Sequence, residues 1–203
     1  GMGSLTITND GTVSSQSSIL GNKPDSIGSV TISGAGSCFT MRQELFVGGD
    51  GTGTLTITDG GAVSNSYGFV GYDAGATGYA SVSGIGSIWS NALQLSVGHE
   101  GAGTLNVSNG GAVFSGSNGL IGWEDNATGT VSVSGTDSRM LFGTNDLYLG
   151  GGYYWDGDEW DTGGTGSGTL EIRDGGMVAN KSGGLGYNAG SSGVALVEGL
   201  GST

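Results

Sequence analysis

The residues best suited to chemistry are concentrated in one segment, residues 150–167. It carries four aromatic side chains, at Tyr153, Tyr154, Trp155 and Trp160. Aromatic side chains on a loop are typical of surfaces that contact a glycan or another protein. The sequence therefore predicts a ligand-binding loop at this point of the chain.

Acidic side chains accompany these aromatics, at Asp156, Asp158, Glu159 and Asp161. Ca²⁺ is bound by several hard oxygen ligands, so this group is a candidate calcium site, although the spacing is not that of an EF-hand loop. The alternative is that the aromatic side chains fold back onto the protein and the carboxylates stay solvated. No other cofactor is predicted.

Composition limits the class of protein that can present this loop. The chain of 203 residues has 47 glycines and one proline, which excludes collagen and disfavours helix. Its formal net charge is −13, with 18 acidic and 5 basic residues, which excludes a nucleic-acid-binding role. No apolar stretch reaches the length of a membrane-spanning helix, so we expect no direct insertion of this segment into a membrane.

The chain repeats its own sequence. One phrase occurs at 3–13, 53–63, 103–113 and 168–178, and reads GTLTITDGGAV at 53–63. A variant of it lies about half a period later, at 30–37, 80–87, 131–138 and 195–202. Leu5, Leu55 and Leu105 are evenly spaced, whereas Leu170 follows later by about 15 additional residues, which marks 150–167 as an inserted loop.

The pattern inside each unit predicts strands. Leu55, Ile57, Leu105 and Val107 alternate with polar residues, and Gly, Ser, Asn and Asp separate three short extended runs in each unit of about 25 residues. Such short runs can pair only with their counterparts in the next unit. The sequence therefore predicts an all-β fold, a right-handed single-stranded parallel β-helix. We expect one three-sided solenoid of about eight rungs over residues 1–203.

Two further expectations follow from this fold. A glycine recurs after the third run, at Gly48, Gly71, Gly98, Gly122, Gly150 and Gly186, and we interpret it as a corner residue rather than part of a phosphate-binding loop. The terminal rungs would also expose unpaired strands, which makes end-to-end self-association of the chain an expected property.

The repeated phrases resemble a known sequence family. Gly60-Gly61, the Ser-Gly-x-Gly-Ser phrase at 83–87, Trp89 and Val97-Gly98 are similar to the glycine-rich repeat of autotransporter (type V secretion) passenger domains, also found in PEP-CTERM-associated surface proteins. The resemblance covers essentially the whole chain. It implies a β-helix exported by Gram-negative bacteria and carries no catalytic residues. We expect the chain to be a fragment of a longer passenger.

The resemblance and the loop together predict a non-enzymatic adhesin segment, surface-exposed and anchored to the outer membrane, or secreted. Its partner would be a host or bacterial surface glycan or protein. One alternative is a purely structural stalk. Another is a polysaccharide-acting enzyme, for which His99 is the single histidine that could serve a Ser-His-Asp site. We expect His99 to be an exposed corner residue instead.

Overall fold

The computed structural model describes residues 1–155 and 160–203. The described chain is all-β, and 22 of its strands form three parallel sheets of eight, seven and seven strands. The sheets are the sides of a three-sided solenoid of about eight turns of about 25 residues. The predicted fold class is confirmed.

The strands follow one another around the three sides in each turn. The first sheet contains β1 (Met2–Ile7), β4 (Ile27–Ser33), β7 (Thr52–Thr58), β10 (Thr77–Ser83), β13 (Ala102–Ser108), β16 (Thr128–Ser134), β21 (Ser167–Arg173) and β24 (Ser192–Glu198). The second contains β2 (Thr12–Ser15), β5 (Cys38–Met41), β8 (Ala62–Asn65), β11 (Ile88–Asn91), β14 (Ala112–Ser115), β17 (Arg139–Leu141) and β22 (Met177–Ala179). The third contains β3 (Ser18–Leu20), β6 (Glu44–Val47), β9 (Tyr67–Val70), β12 (Leu95–Val97), β15 (Gly119–Ile121), β18 (Leu147–Leu149) and β23 (Gly183–Leu185).

Each strand pairs with its counterpart one turn away. In the first sheet, for example, Leu55 lies opposite Ala80, and Ala80 lies opposite Leu105. The 65-residue step from Leu105 to Leu170 leaves this pairing intact, because β16 lies between their strands and pairs directly with β21. The extra residues therefore leave the solenoid between β18 and β21, and the sheets continue without a break in register.

The interior of the solenoid is a continuous apolar core. Along β7, Leu55 and Ile57 are fully buried, and the threonines that alternate with them, Thr54, Thr56 and Thr58, point outward and are half-buried. The same alternation recurs along β10, β13 and β16, so that equivalent apolar side chains stack from one turn to the next. Burial of these stacked side chains is the main stabilising contribution, because no turn could bury its apolar face alone.

Glycine at the corner between the third and first sheets is confirmed as a conformational requirement. At Gly71 the φ angle is 72°, in the left-handed region that side chains rarely adopt. A Cβ on Gly71 would also lie less than 3.0 Å from backbone atoms of Ala102 and Gly103 in the next turn. The tight corner fixes the direction of the residue that follows it, which matters for the site below.

Each end of the solenoid leaves strand edges. The strands β1, β2 and β3 have a neighbour on one side only, as do β22, β23 and β24 at the other end. End-to-end self-association stays a prediction. In the described part of the chain, no helix is long and apolar enough to cross a membrane.

Candidate binding face on the third sheet

The outer face of the third sheet carries side chains that do not belong to the core. In β6, Leu45 and Val47 point inward and are fully buried, whereas Phe46 between them points outward and is half-buried. The sheet register places the equivalent outward residues of successive turns beside one another: Phe46, Phe69, Ser96, Leu120 and Tyr148.

A second line of side chains runs alongside, one residue beyond the corner glycine. It contains Tyr72, His99 and Trp123, in three successive turns. The ring centroids of Tyr72 and His99 are 4.7 Å apart, and those of His99 and Trp123 are also 4.7 Å apart. Phe69 meets both Tyr72 and His99 edge to face, and Phe46 stacks on Phe69 at 5.1 Å. We call Phe46, Phe69, Tyr72, His99 and Trp123 the aromatic row.

A groove opens beside the aromatic row. Its volume is about 280 Å³. The lining residues are Phe69, Tyr72, Gln94, His99, Glu100, Trp123 and Glu124. Concave sites with aromatic walls and a few convergent polar groups are typical of ligand-binding sites. The groove is therefore the candidate functional site of the described chain.

The groove is electronegative. Burial raises the pKa of the Tyr72 phenol, and the carboxylates of Asp73, Glu100 and Glu44 raise this pKa further. A phenol loses its proton less readily in a negative potential, so the shift indicates that these carboxylates act on the ring. Among the described residues, no lysine or arginine lines the groove. A positively charged or neutral ligand would be accepted here, and an anion would be repelled.

The prediction that His99 is an exposed corner residue is wrong. Its ring packs between those of Tyr72 and Trp123, and burial lowers its pKa to about 4. Its Nδ1 atom is buried and has no hydrogen-bond partner among the described residues. Within residues 1–155 and 160–203, neither a hydroxyl nor a carboxylate is hydrogen-bonded to this ring, so the geometry of a Ser-His-Asp site is not assembled there.

The lowered pKa of His99 predicts acid destabilisation. An ordinary histidine has a pKa of about 6.5, and that of His99 in the folded chain is about 4. Between these values the unfolded chain binds more protons, so the free energy of unfolding falls as pH falls from about 6.5 to about 4 and levels off below. We expect a loss of about 2 kcal/mol after allowing for solvent at the exposed edge of the ring. Urea unfolding across this pH range measures it.

The variant His99→Phe separates this effect from the titration of carboxylates. It keeps an aromatic ring in the row but cannot be protonated, and it leaves every carboxylate of the chain in place. If His99 carries the pH dependence, the original chain should gain about 2 kcal/mol of unfolding free energy relative to His99→Phe on going from pH 4 to pH 7. A difference that does not change with pH would contradict it.

The first part of the inserted loop packs onto the same face. Tyr153 contacts Tyr148 and Tyr187, with ring centroids 5.2 and 5.5 Å apart, and these two tyrosines contact each other at 5.0 Å. The side-chain amide of Asn118 also donates to the carbonyl oxygen of Tyr153, at 3.5 Å. Of the predicted ligand-binding aromatics, Tyr153 is thus folded back onto the outer wall of the solenoid.

The last part of the loop is anchored on the other side of Trp123. The backbone N–H and the hydroxyl of Thr165 donate to Oδ1 of Asp125, at 2.8 and 2.9 Å, and these bonds lower the pKa of Asp125. The side-chain amide of Asn188 donates to the carbonyl oxygens of Thr162, Gly163 and Gly164. A Cβ on Gly163 would lie less than 3.0 Å from the Trp123 indole, so the loop backbone lies against that ring.

Between these two anchors, the loop forms a short antiparallel pair of strands, β19 (Tyr154–Trp155) and β20 (Trp160–Asp161). This pairing sets the backbone positions of Tyr154, Trp155, Trp160 and Asp161. The predicted roles of these residues in ligand or Ca²⁺ binding stay predictions. Asp156, Asp158 and Glu159 lie outside the described residues, so the predicted Ca²⁺ site stays a prediction. Across residues 1–155 and 160–203, no three His, Cys, Asp or Glu side chains are grouped as a metal site requires.

Sequence reasoning missed the aromatic row. It selected the acids and aromatics of the inserted loop by their density, and it treated His99 as an isolated corner residue. The signal that could have identified them is positional, since each one directly follows a corner glycine in three successive repeats. Stacking those repeats in register brings them together.

Comparison of the chain with protein-family models, with curated proteins and with solved structures gives no match.

Proposed function

We propose that this chain is a non-enzymatic binding segment of adhesin type, within a surface-exposed or secreted bacterial protein. Its ligand is a surface glycan or protein, bound on the outer face of the third sheet. The single observation that carries the proposal is the groove beside the aromatic row. The resemblance of the repeats to autotransporter passenger domains supports the cellular location.

The solenoid is suited to such a role because it holds the groove on rigid elements. Tyr72, His99 and Trp123 each follow a corner glycine whose backbone is fixed by hydrogen bonds to the neighbouring turn. The rings are therefore ordered before a ligand arrives, which lowers the entropic cost of binding. Aromatic side chains in such positions contribute most to binding at many interfaces.

The test is binding of the purified chain to a panel of glycans and extracellular-matrix proteins. Tyr72→Ala removes one wall of the groove, and we expect it to weaken binding at least ~10-fold. The matched control is Tyr79→Ala, because Tyr79 is an exposed tyrosine on the outer face of the first sheet, away from the groove. A second variant replaces residues 152–165 by a short Gly-Ser turn.

The outcomes distinguish a binding site in the groove, a binding site on the inserted loop and a structural stalk. Loss of binding in Tyr72→Ala, with no change in Tyr79→Ala, supports the proposal. Loss only in the shortened variant would move the site from the groove to the inserted loop. Absence of binding by the parent chain would overturn the adhesin proposal in favour of a structural stalk.

A further inference from the structure

We propose that the groove beside the aromatic row binds an organic ammonium group, with a hydrogen-bonding group close to the charged nitrogen. This inference rests on the proposed binding function and specifies its ligand class. It is carried by three independent features of the groove, which are its aromatic wall, its charge and the amide of Gln94, which has no hydrogen bond to the described residues.

The rings that line the groove pack edge to face against one another. The plane of Phe69 is inclined by 70° to that of Tyr72 and by 78° to that of His99. The plane of Trp123 is inclined by 75° to that of His99. Their centroids are only 4.7–5.3 Å apart, so they are in direct contact and form one continuous aromatic wall of the groove. A compact cation can contact several of them at once, and each ring attracts it through its quadrupole.

The charges in the groove favour the same ligand. Glu100 and Glu124 line it, and the carboxylates of Asp73 and Glu44 also act on the Tyr72 phenol. His99 is neutral at physiological pH, because burial holds its pKa at about 4. The site thus has aromatic walls, carboxylates at close range and no competing cation. A neutral sugar would gain nothing from these carboxylate charges beyond ordinary hydrogen bonds, whereas an ammonium group gains from both walls and charge.

Gln94 supplies an independent polar group at the groove. It lines the groove, is only 3% exposed, and lies directly before β12. Its backbone carbonyl accepts a hydrogen bond from Gly68, but its side-chain amide makes none with any residue in the described ranges and is not completely enclosed, because it lines the groove. Buried amides are nearly always hydrogen-bonded. A ligand hydroxyl or carbonyl beside the ammonium group would satisfy it.

The size of the groove fits a headgroup rather than a chain of sugars. Its volume of about 280 Å³ lies just below the range of pockets for drug-sized ligands, roughly 300–1,000 Å³. Choline matches it in chemistry, with a trimethylammonium group two carbons from a hydroxyl. In nature the same group could come from a phosphocholine headgroup or from a methylated lysine side chain.

The test is an NMR titration of the full chain with choline and with its uncharged isostere, 3,3-dimethyl-1-butanol. The reporter is the indole N–H of Trp123, assigned from the spectrum of Trp123→Phe. We expect saturable shifts with choline and binding at least ~10-fold weaker for the isostere. Phosphocholine and trimethyllysine amide, titrated in parallel, distinguish the two sources, and saturable binding of either one supports the proposal.

Two variants check the charge contribution. Glu100→Gln keeps every ring and should weaken choline binding several-fold while leaving the isostere unchanged. Asp137→Asn removes one acid from an exposed turn after the first sheet and should change neither, which controls for net charge. Equal binding of choline and its isostere would overturn the proposal. Binding of methyl β-glucopyranoside but not choline would overturn it too, and would leave the adhesin proposal standing.

Discussion

Replacing Gly103 by alanine should destabilise the chain by about 3 kcal/mol or more. Gly103 is the inward-facing residue near the start of β13, at the vertex where the third and first sheets converge. A Cβ there would lie less than 3.0 Å from the carbonyl oxygen of Val70, the amide nitrogen of Gly98 and the carbonyl carbon of Val97. All three are backbone atoms of the neighbouring corners, so no side-chain rotation can relieve the clash. Thermal and urea unfolding followed by circular dichroism measure the loss.

The chain contains its own control for this substitution. Gly3 occupies the equivalent register position in β1, but nothing lies within 4 Å of a Cβ built there. Gly3→Ala should change the unfolding free energy by less than ~0.5 kcal/mol, since alanine suits a strand at least as well as glycine. If Gly103→Ala is as stable as Gly3→Ala, the close approach of the corners is contradicted.

Hydrogen exchange adds a spatial readout to the same comparison. Solenoid turns contact only their neighbours, so unfolding can remain local rather than involve the whole chain. We expect Gly103→Ala to lose amide protection first in β12, β13 and the adjacent turns, with the terminal turns less affected. A uniform loss of protection would indicate that the solenoid unfolds as one unit.

The solenoid was predictable from the sequence because its period is short and its sheets are built by repetition. The alternation of Leu55 and Ile57 with threonine defines one buried face, and the recurrence of the phrase identifies its pairing partner. No long-range contact had to be guessed, since each strand pairs with the next copy of itself. The corner glycines were predictable for the same reason.

The binding face was not predictable in the same way. The aromatic row depends on which residues project outward at a corner, and a single histidine in one repeat carries no such information. Tyr72, His99 and Trp123 become one surface only when three turns are stacked. The inserted loop was predicted from its composition and from the interrupted repeat. Its packing was not, because Tyr153 contacts Tyr148 and Tyr187, which lie 5 and 34 positions away in the chain.

The core also contains a polar network that hydrophobic alternation does not predict. Trp89 is completely buried in β11, and its indole N–H donates to Oδ1 of Asn65 at 2.7 Å. The amide of Asn65 donates to Oδ1 of Asn91 at 2.6 Å, and the amide of Asn91 donates to the carbonyl oxygen of Phe114 at 3.2 Å. Gly68 makes room for this group, because a Cβ there would lie within 3.0 Å of the Asn91 side chain.

Removing the middle member of this network should cost about 4 kcal/mol. Asn65→Leu nearly conserves volume but leaves the Trp89 indole N–H and Oδ1 of Asn91 buried without partners, and each loss costs about 1–3 kcal/mol. The matched control is Asn106→Leu, the same change at an exposed outward position of β13, which should alter stability by less than ~0.5 kcal/mol. Urea unfolding of both variants provides the comparison.

A double-mutant cycle with Trp89→Phe tests whether the cost arises from the hydrogen bonds. Phenylalanine has no N–H to leave unpaired, so Asn65→Leu should cost about 1–2 kcal/mol less in the Trp89→Phe background. Additive costs would mean that Asn65 acts through packing alone. A coupling of the expected size would show that hydrogen bonds between successive turns stabilise the second sheet in addition to apolar stacking.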